Sequence, residues 1–263
     1  MVIGELMIPV MNAALVTGVA FVLPIALRDK HLPWTIAAAS VAVSLSLEPG
    51  RLAALCVAPW LLLTIRSGVL ALLTRTTWLA MAAGFAGTAA LALITSRLEV
   101  TLFDIHEPIV KLTALHFTYA GAGTLTLALR VHEARRSMFT LATLVLVFIA
   151  PPVVATGFIT RLWPAQVGGA VLMSLGVYFT AGLQLRDLRE EKDARLKALW
   201  LISCVAPVIA MVLGVAWAAA QYWPSIPALT VPDMVPTHGA LNAFGFVLCG
   251  HLAWWLAFTR RQG

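Results

Sequence analysis

Asp104-Ile-His-Glu-Pro-Ile-Val-Lys-Leu-Thr-Ala-Leu-His-Phe-Thr-Tyr-Ala-Gly-Ala-Gly123 begins as a charged loop and runs without a break into an apolar segment that keeps its polar groups. Asp104, His106 and Glu107 sit at its mouth, and Lys111 follows Glu107 by one helical turn, placed to pair with it or to snorkel. His116 and Tyr119 lie deeper and three apart, so a regular helix puts them on one face. A charge or an imidazole in a lipid-spanning helix costs a few kcal/mol, so it needs a partner or a wet cavity. The fold therefore turns on whether this stretch is one of several membrane spans.

Working outward, the whole chain has the composition of a membrane protein. Of its 263 residues 60% are hydrophobic and 11% charged, where soluble domains carry about 25% charged residues. The mean hydropathy is +0.90. Nine apolar runs are long enough to act as spans or near-spans, at roughly 6–27, 33–48, 51–66, 77–96, 108–130, 137–160, 164–185, 197–220 and 234–258. The two short runs flank Glu48-Pro49-Gly50-Arg51, a turn signal, so 33–66 reads as two crossings or as one re-entrant hairpin. The expected fold is an all-α polytopic transmembrane bundle of seven to nine spans, in a single domain over 1–263.

Loop charge sets the expected orientation. Arg28, Lys30, Arg66, Arg75, Arg130, Arg135, Arg136, the basic residues of 186–197 and Arg260–Arg261 fall on one side. The other side has only Arg51, Arg97 and Arg161. Basic loops stay cytoplasmic, which predicts a multi-pass protein with its N-terminus outside and its C-terminus inside. The net charge of +6 is thereby assigned to orientation and to membrane lipid head groups rather than to nucleic acid. Cys56, Cys204 and Cys249 lie in apolar runs without metal-type spacing, and read as small core residues. No HxxxH or ExxH pair shares a helix, and no phosphate loop or nucleophile elbow is present, so neither a metal nor a cofactor is expected.

The last run contributes the second polar set. His238 and Asn242 are four apart on one face, Gly245 continues that face, and Gly239, Ala243 and Gly250 allow close helix approach. His116 lies about nine residues below Glu107, roughly 14 Å along a helix. Glu48, Asp104, Glu107, His116, Asp233, His238 and Asn242 are thus expected in the outer half, converging in a water-poor chamber. The inner half offers only Arg66 and scattered Thr and Ser.

LTALHFTYAGAG at 112–123 and HGALNAFGFVLCG at 238–250 resemble the YndJ-like family of bacterial integral membrane proteins. Proteins of this appearance in actinomycete pathways are linked to cyclisation of prenyl chains, as in drimane-type indole sesquiterpenoids. The resemblance implies a terpenoid cyclase in the bacterial cytoplasmic membrane, acting on a lipophilic prenylated substrate without redox chemistry. In that reading Glu107 or Asp104 delivers the initiating proton. His116 and His238 tune the acid or take the final proton, and Asn242 orients His238. Tyr119, Phe117, Phe244 and Phe246 would line the cations formed, with Glu48 and Asp233 also assigned to substrate binding. The rivals are a small-solute or proton-coupled transporter, because buried acid–histidine sets also relay protons, and a non-catalytic membrane partner.

Overall fold

The computed structural model describes residues 3–101 and 103–262. After a short 3₁₀ turn at Ile3–Leu6, the helices are α1 Met7–Leu27, α2 His31–Ser46, α3 Arg51–Leu73, α4 Thr77–Arg97, α5 over 109–134, α6 Met138–Thr160, α7 Trp163–Glu190, α8 Ala194–Ala220 and α9 over 231–262. Among the described residues, seven helices are long and apolar enough to cross a membrane: α1, α3, α4, α6, α7, α8 and α9. The protein is an all-helical membrane protein. Helices suit that setting because each spanning backbone satisfies its own hydrogen bonds away from water.

The remaining two helices show what limits the count. Helix α2 has 16 residues, about 24 Å at 1.5 Å per residue against a hydrocarbon core of about 30 Å. Helix α5 is longer but carries Lys111, His116, several threonines and Arg130. The segment 33–66 forms two separate helices, and α3 runs on to Leu73, so Arg66 lies inside a helix rather than in the connecting loop. Arg66 reaches Asp29 at 2.8 Å.

The chain forms two compact units, Met11–Thr126 (the N-terminal unit) and Met1–Val10 with Leu127–Gly263 (the C-terminal unit). In the N-terminal unit, the start of α3 is organised by Pro59. Proline has no N–H and disfavours a continuous helix before it, and the backbone turns at Cys56 and Val57. The N–H of Val57 bonds Ala54 O and that of Trp60 bonds Val57 O, so the carbonyls of Ala53 and Cys56 lose their regular helical partners. Ser44 and Ser40, four apart on α2, donate to those two carbonyls at 2.6 Å each. Two hydroxyls thereby repair the break where water is scarce.

In the C-terminal unit, α6 packs on α7, α7 on α8, and α8 on α9. The α8–α9 contact is close because Gly245 sits against Ala206: a side chain at 245 would meet the Ala206 Cβ at 2.5 Å. Small residues allow such approach in the absence of a hydrophobic drive between helices.

Candidate functional site

Three helices depart from α-geometry. π-type turns occur in α1 at Gly18–Val22, in α5 at Phe117–Gly123, and in α9 at Val235–Gly239 and Leu241–Leu248. Such turns are rare and concentrate at functional sites. The polar stretches singled out in the sequence, 112–123 and 238–250, both coincide with them.

In the C-terminal unit, His238 is half-buried and its Nδ1 lies 2.6 Å from the Ala210 carbonyl of α8. A carbonyl only accepts, so Nδ1 carries a proton, and in the neutral ring Nε2 is then the acceptor. Gly214, one turn further along α8, makes room for the ring; a Cβ there would lie 2.7 Å from His238 Cε1. The Asn242 amide lies 3.4 Å from Nδ1 and 3.5 Å from Nε2 of that ring, and donates to the His238 carbonyl at 3.1 Å. The His238–Asn242 face read from the sequence is present, but Ala210 rather than Asn242 fixes the ring. Asp233, half-buried in the first turn of α9, accepts from the Thr230 hydroxyl at 2.6 Å. Phe244 is half-buried, whereas Phe246 is a fully buried core residue.

Polar groups continue below Asn242 in the same unit, where the sequence reading expected few. Gln184 is 0% and His251 1% exposed, and Ser203 is fully buried. Ser203 donates to the Phe246 carbonyl at 2.9 Å and lies 3.3 Å from Gln184 Oε1. The His251 Nδ1 bonds the Val247 carbonyl at 2.9 Å, and Arg130 is its charged neighbour. Beyond them a cavity of about 230 Å³ is lined by Arg130, Glu133, Ala134, Trp254, Ala257 and Phe258. The only sequence signal for this set was a polar residue within an apolar run.

In the N-terminal unit, the π-turns of α1 and α5 meet. The Tyr119 hydroxyl donates to the Ala14 carbonyl at 2.8 Å and sits 3.2 Å from the Thr17 hydroxyl. Tyr119 is 4% exposed. Higher on the same pair of helices, Lys111 donates to Asn12 Oδ1 at 2.6 Å, not to Glu107 as its spacing suggested. Phe117 is half-buried and tilts against Phe85 with ring centroids 5.7 Å apart.

Several expectations are corrected here. Asp104, Glu107 and Glu48 are exposed, so neither Asp104 nor Glu107 is the dry acid anticipated. Glu99, Phe103 and Asp104 all adopt left-handed backbone conformation, and exposed His106 lies 3.4 Å from the Asp104 carboxylate. His116 is also exposed, with Nδ1 on the Leu112 carbonyl at 2.9 Å. It does not share a face with buried Tyr119, because the π-turn begins between them and changes the angular step per residue. The fifth-segment groups belong to the N-terminal unit and His238, Asn242 and Asp233 to the C-terminal unit.

The model of the YndJ-like protein family matches residues 6–246. The chain belongs to the YndJ-like family. No curated protein and no solved structure matches it. Within this YndJ-like chain the match runs from α1 to the π-turn of α9 and stops short of His251 and the cavity at Trp254.

Proposed function

We propose that the protein is an integral-membrane terpenoid cyclase that isomerises the prenyl chain of a lipophilic acceptor. The observation that carries this reading is the half-buried His238 ring, held in orientation by the Ala210 carbonyl at 2.6 Å from its Nδ1. An imidazole held in a fixed orientation on a largely apolar helix suits removal of a proton from a carbocation. Asp233, half-buried and five residues ahead of His238 in a stretch that makes a π-turn, replaces Asp104 and Glu107 as the carboxyl that starts the reaction. One proton adds to an alkene, ring bonds form at the expense of π bonds, and one proton leaves, so the product has the mass of the substrate. Phe244 is the aromatic face assigned to the cation; Tyr119, Phe117 and His116 belong to the other unit and are given no step. The basic loops support a bacterial cytoplasmic membrane location with the C-terminus inside.

A second reading, proton-coupled transport, is favoured by one specific observation: Gln184, Ser203 and His251 continue the polar groups of α9 into the inner half of the same unit. One comparison separates the two. Membranes containing the protein are incubated with farnesylated indole or quinone acceptors, and products of unchanged mass but shifted retention are sought. An isomer that disappears in His238→Ala supports the cyclase. No isomer with any prenyl acceptor, together with solute-driven proton uptake in proteoliposomes that fails in His251→Ala, replaces it with the transporter.

A further inference from the structure

Arg97, the last residue of α4, is 9% exposed. Its Nη2 donates to the Leu47 carbonyl at the end of α2, at 2.5 Å. Its own carbonyl receives the Gly50 N–H at 2.7 Å, so the α2–α3 turn closes over the arginine. Its Nε is buried and has no hydrogen-bond partner. Lys111, half-buried in the first turn of α5, lies on the helix that packs against α4 and uses one N–H on Asn12. Among the described residues neither cation has a carboxylate in ion-pair contact, and Glu107, the acidic neighbour of Lys111, is exposed. The α2 carbonyl end offsets part of the charge on Arg97. Two like charges withdrawn from water with a donor still unmade remain costly, and an anion placed between them removes that cost.

We propose that Arg97, Lys111 and Asn12 form a binding site for a phosphate group at one membrane–water boundary of the N-terminal unit. Phosphate rather than carboxylate fits, because up to two negative charges and several acceptor oxygens match a guanidinium fork beside an ammonium. Both cations sit at helix ends, the depth at which lipid phosphates lie. The source is an anionic lipid head group or a soluble phosphate, and the site chemistry is the same for both.

The test uses the full chain in detergent, with melting temperature as the readout. It compares phosphatidic acid, phosphatidylcholine and inorganic phosphate as probes for the wild type, Arg97→Gln and Lys111→Gln. Phosphatidic acid or inorganic phosphate is expected to raise the melting temperature above the phosphatidylcholine value. Each neutral variant is expected to weaken the response about tenfold in the concentration required, the loss of one charge-assisted contact. A response to the lipid alone assigns a head group; an equal response to inorganic phosphate assigns a soluble ligand. Should Arg97→Gln fail to fold, Lys111→Gln decides by itself. A wild type indifferent to both probes, or a variant that responds at wild-type concentrations, overturns the site.

Discussion

Gly214→Ala tests the geometry around His238 directly. A Cβ at position 214 would lie 2.7 Å from His238 Cε1 and 3.2 Å from Nδ1, well inside contact distance. The ring cannot yield while keeping its 2.6 Å bond to the Ala210 carbonyl, one turn earlier on α8. Overpacking costs about 1–3 kcal/mol, and the lost hydrogen bond about 0.5–1.5 kcal/mol. Replacing a helical glycine with alanine returns about 0.5–1 kcal/mol. The substitution should therefore destabilise the protein by about 2 kcal/mol, within a spread of roughly 0.5–4. In a His238→Ala background the ring is gone and only the helix gain of about 0.5–1 kcal/mol remains, so the sign reverses. Reversible unfolding in mixed micelles of the four proteins, wild type, both singles and the double, gives the coupling. An equal cost for Gly214→Ala in both backgrounds would refute the close packing of His238 on α8.

His238→Ala should reduce formation of the isomer by about 100-fold or more, the usual worth of a positioned proton-transfer group. Asp104→Asn and Glu107→Gln, both at exposed residues, should leave turnover close to wild type in the same chromatographic assay. Tyr119→Phe removes the bonds to Ala14 and Thr17 and should cost about 1 kcal/mol in thermal melts of the purified protein; no measurable change would mean that the hydroxyl bonds contribute nothing. Partial burial alone would push the Asp29 carboxyl up, but hydrogen bonds from the Lys30 N–H, Trp34 and Arg66, with the Arg66 charge, hold it below the ordinary aspartate value. A carboxyl depressed by folding stabilises fully above its unfolded value of about 3.9, and that contribution disappears as pH falls through the lower folded value. Melting curves between neutral pH and about 3 should therefore lose stability in the wild type at the acid end more than in Asp29→Asn.

Helix existence was legible in the sequence because it depends on the local run of apolar residues. Among the described residues the nine runs became nine helical segments, and the errors fell at their ends: α3 continues past Arg66 through the apolar residues up to Leu73, while Asp29 accepts the Arg66 guanidinium. The His238–Asn242 pair was also legible, since four residues apart is a local relation. His116 with Tyr119 was not, although three apart is equally local, because the π-turn beginning at Phe117 breaks the regular phase that the spacing assumes. The dry acid at Asp104 or Glu107 failed for a related reason: the loop conformation, not the sequence position, decides which way a charged mouth faces.

By itself, then, the sequence determined that this chain is a set of membrane helices with polar groups lodged in the fifth and last of them. Lipid forbids unsatisfied backbone, and an apolar run of sufficient length has no alternative to a helix there. Only the tertiary structure decided which partner each polar group takes: Asn12 for Lys111, Ala14 for Tyr119, Ala210 for His238, and Ser203 beside Gln184. Those choices depend on which helices are neighbours and how each is rotated. That rotation is set by side-chain packing and by π-turns, which leave no periodic trace in the order of residues.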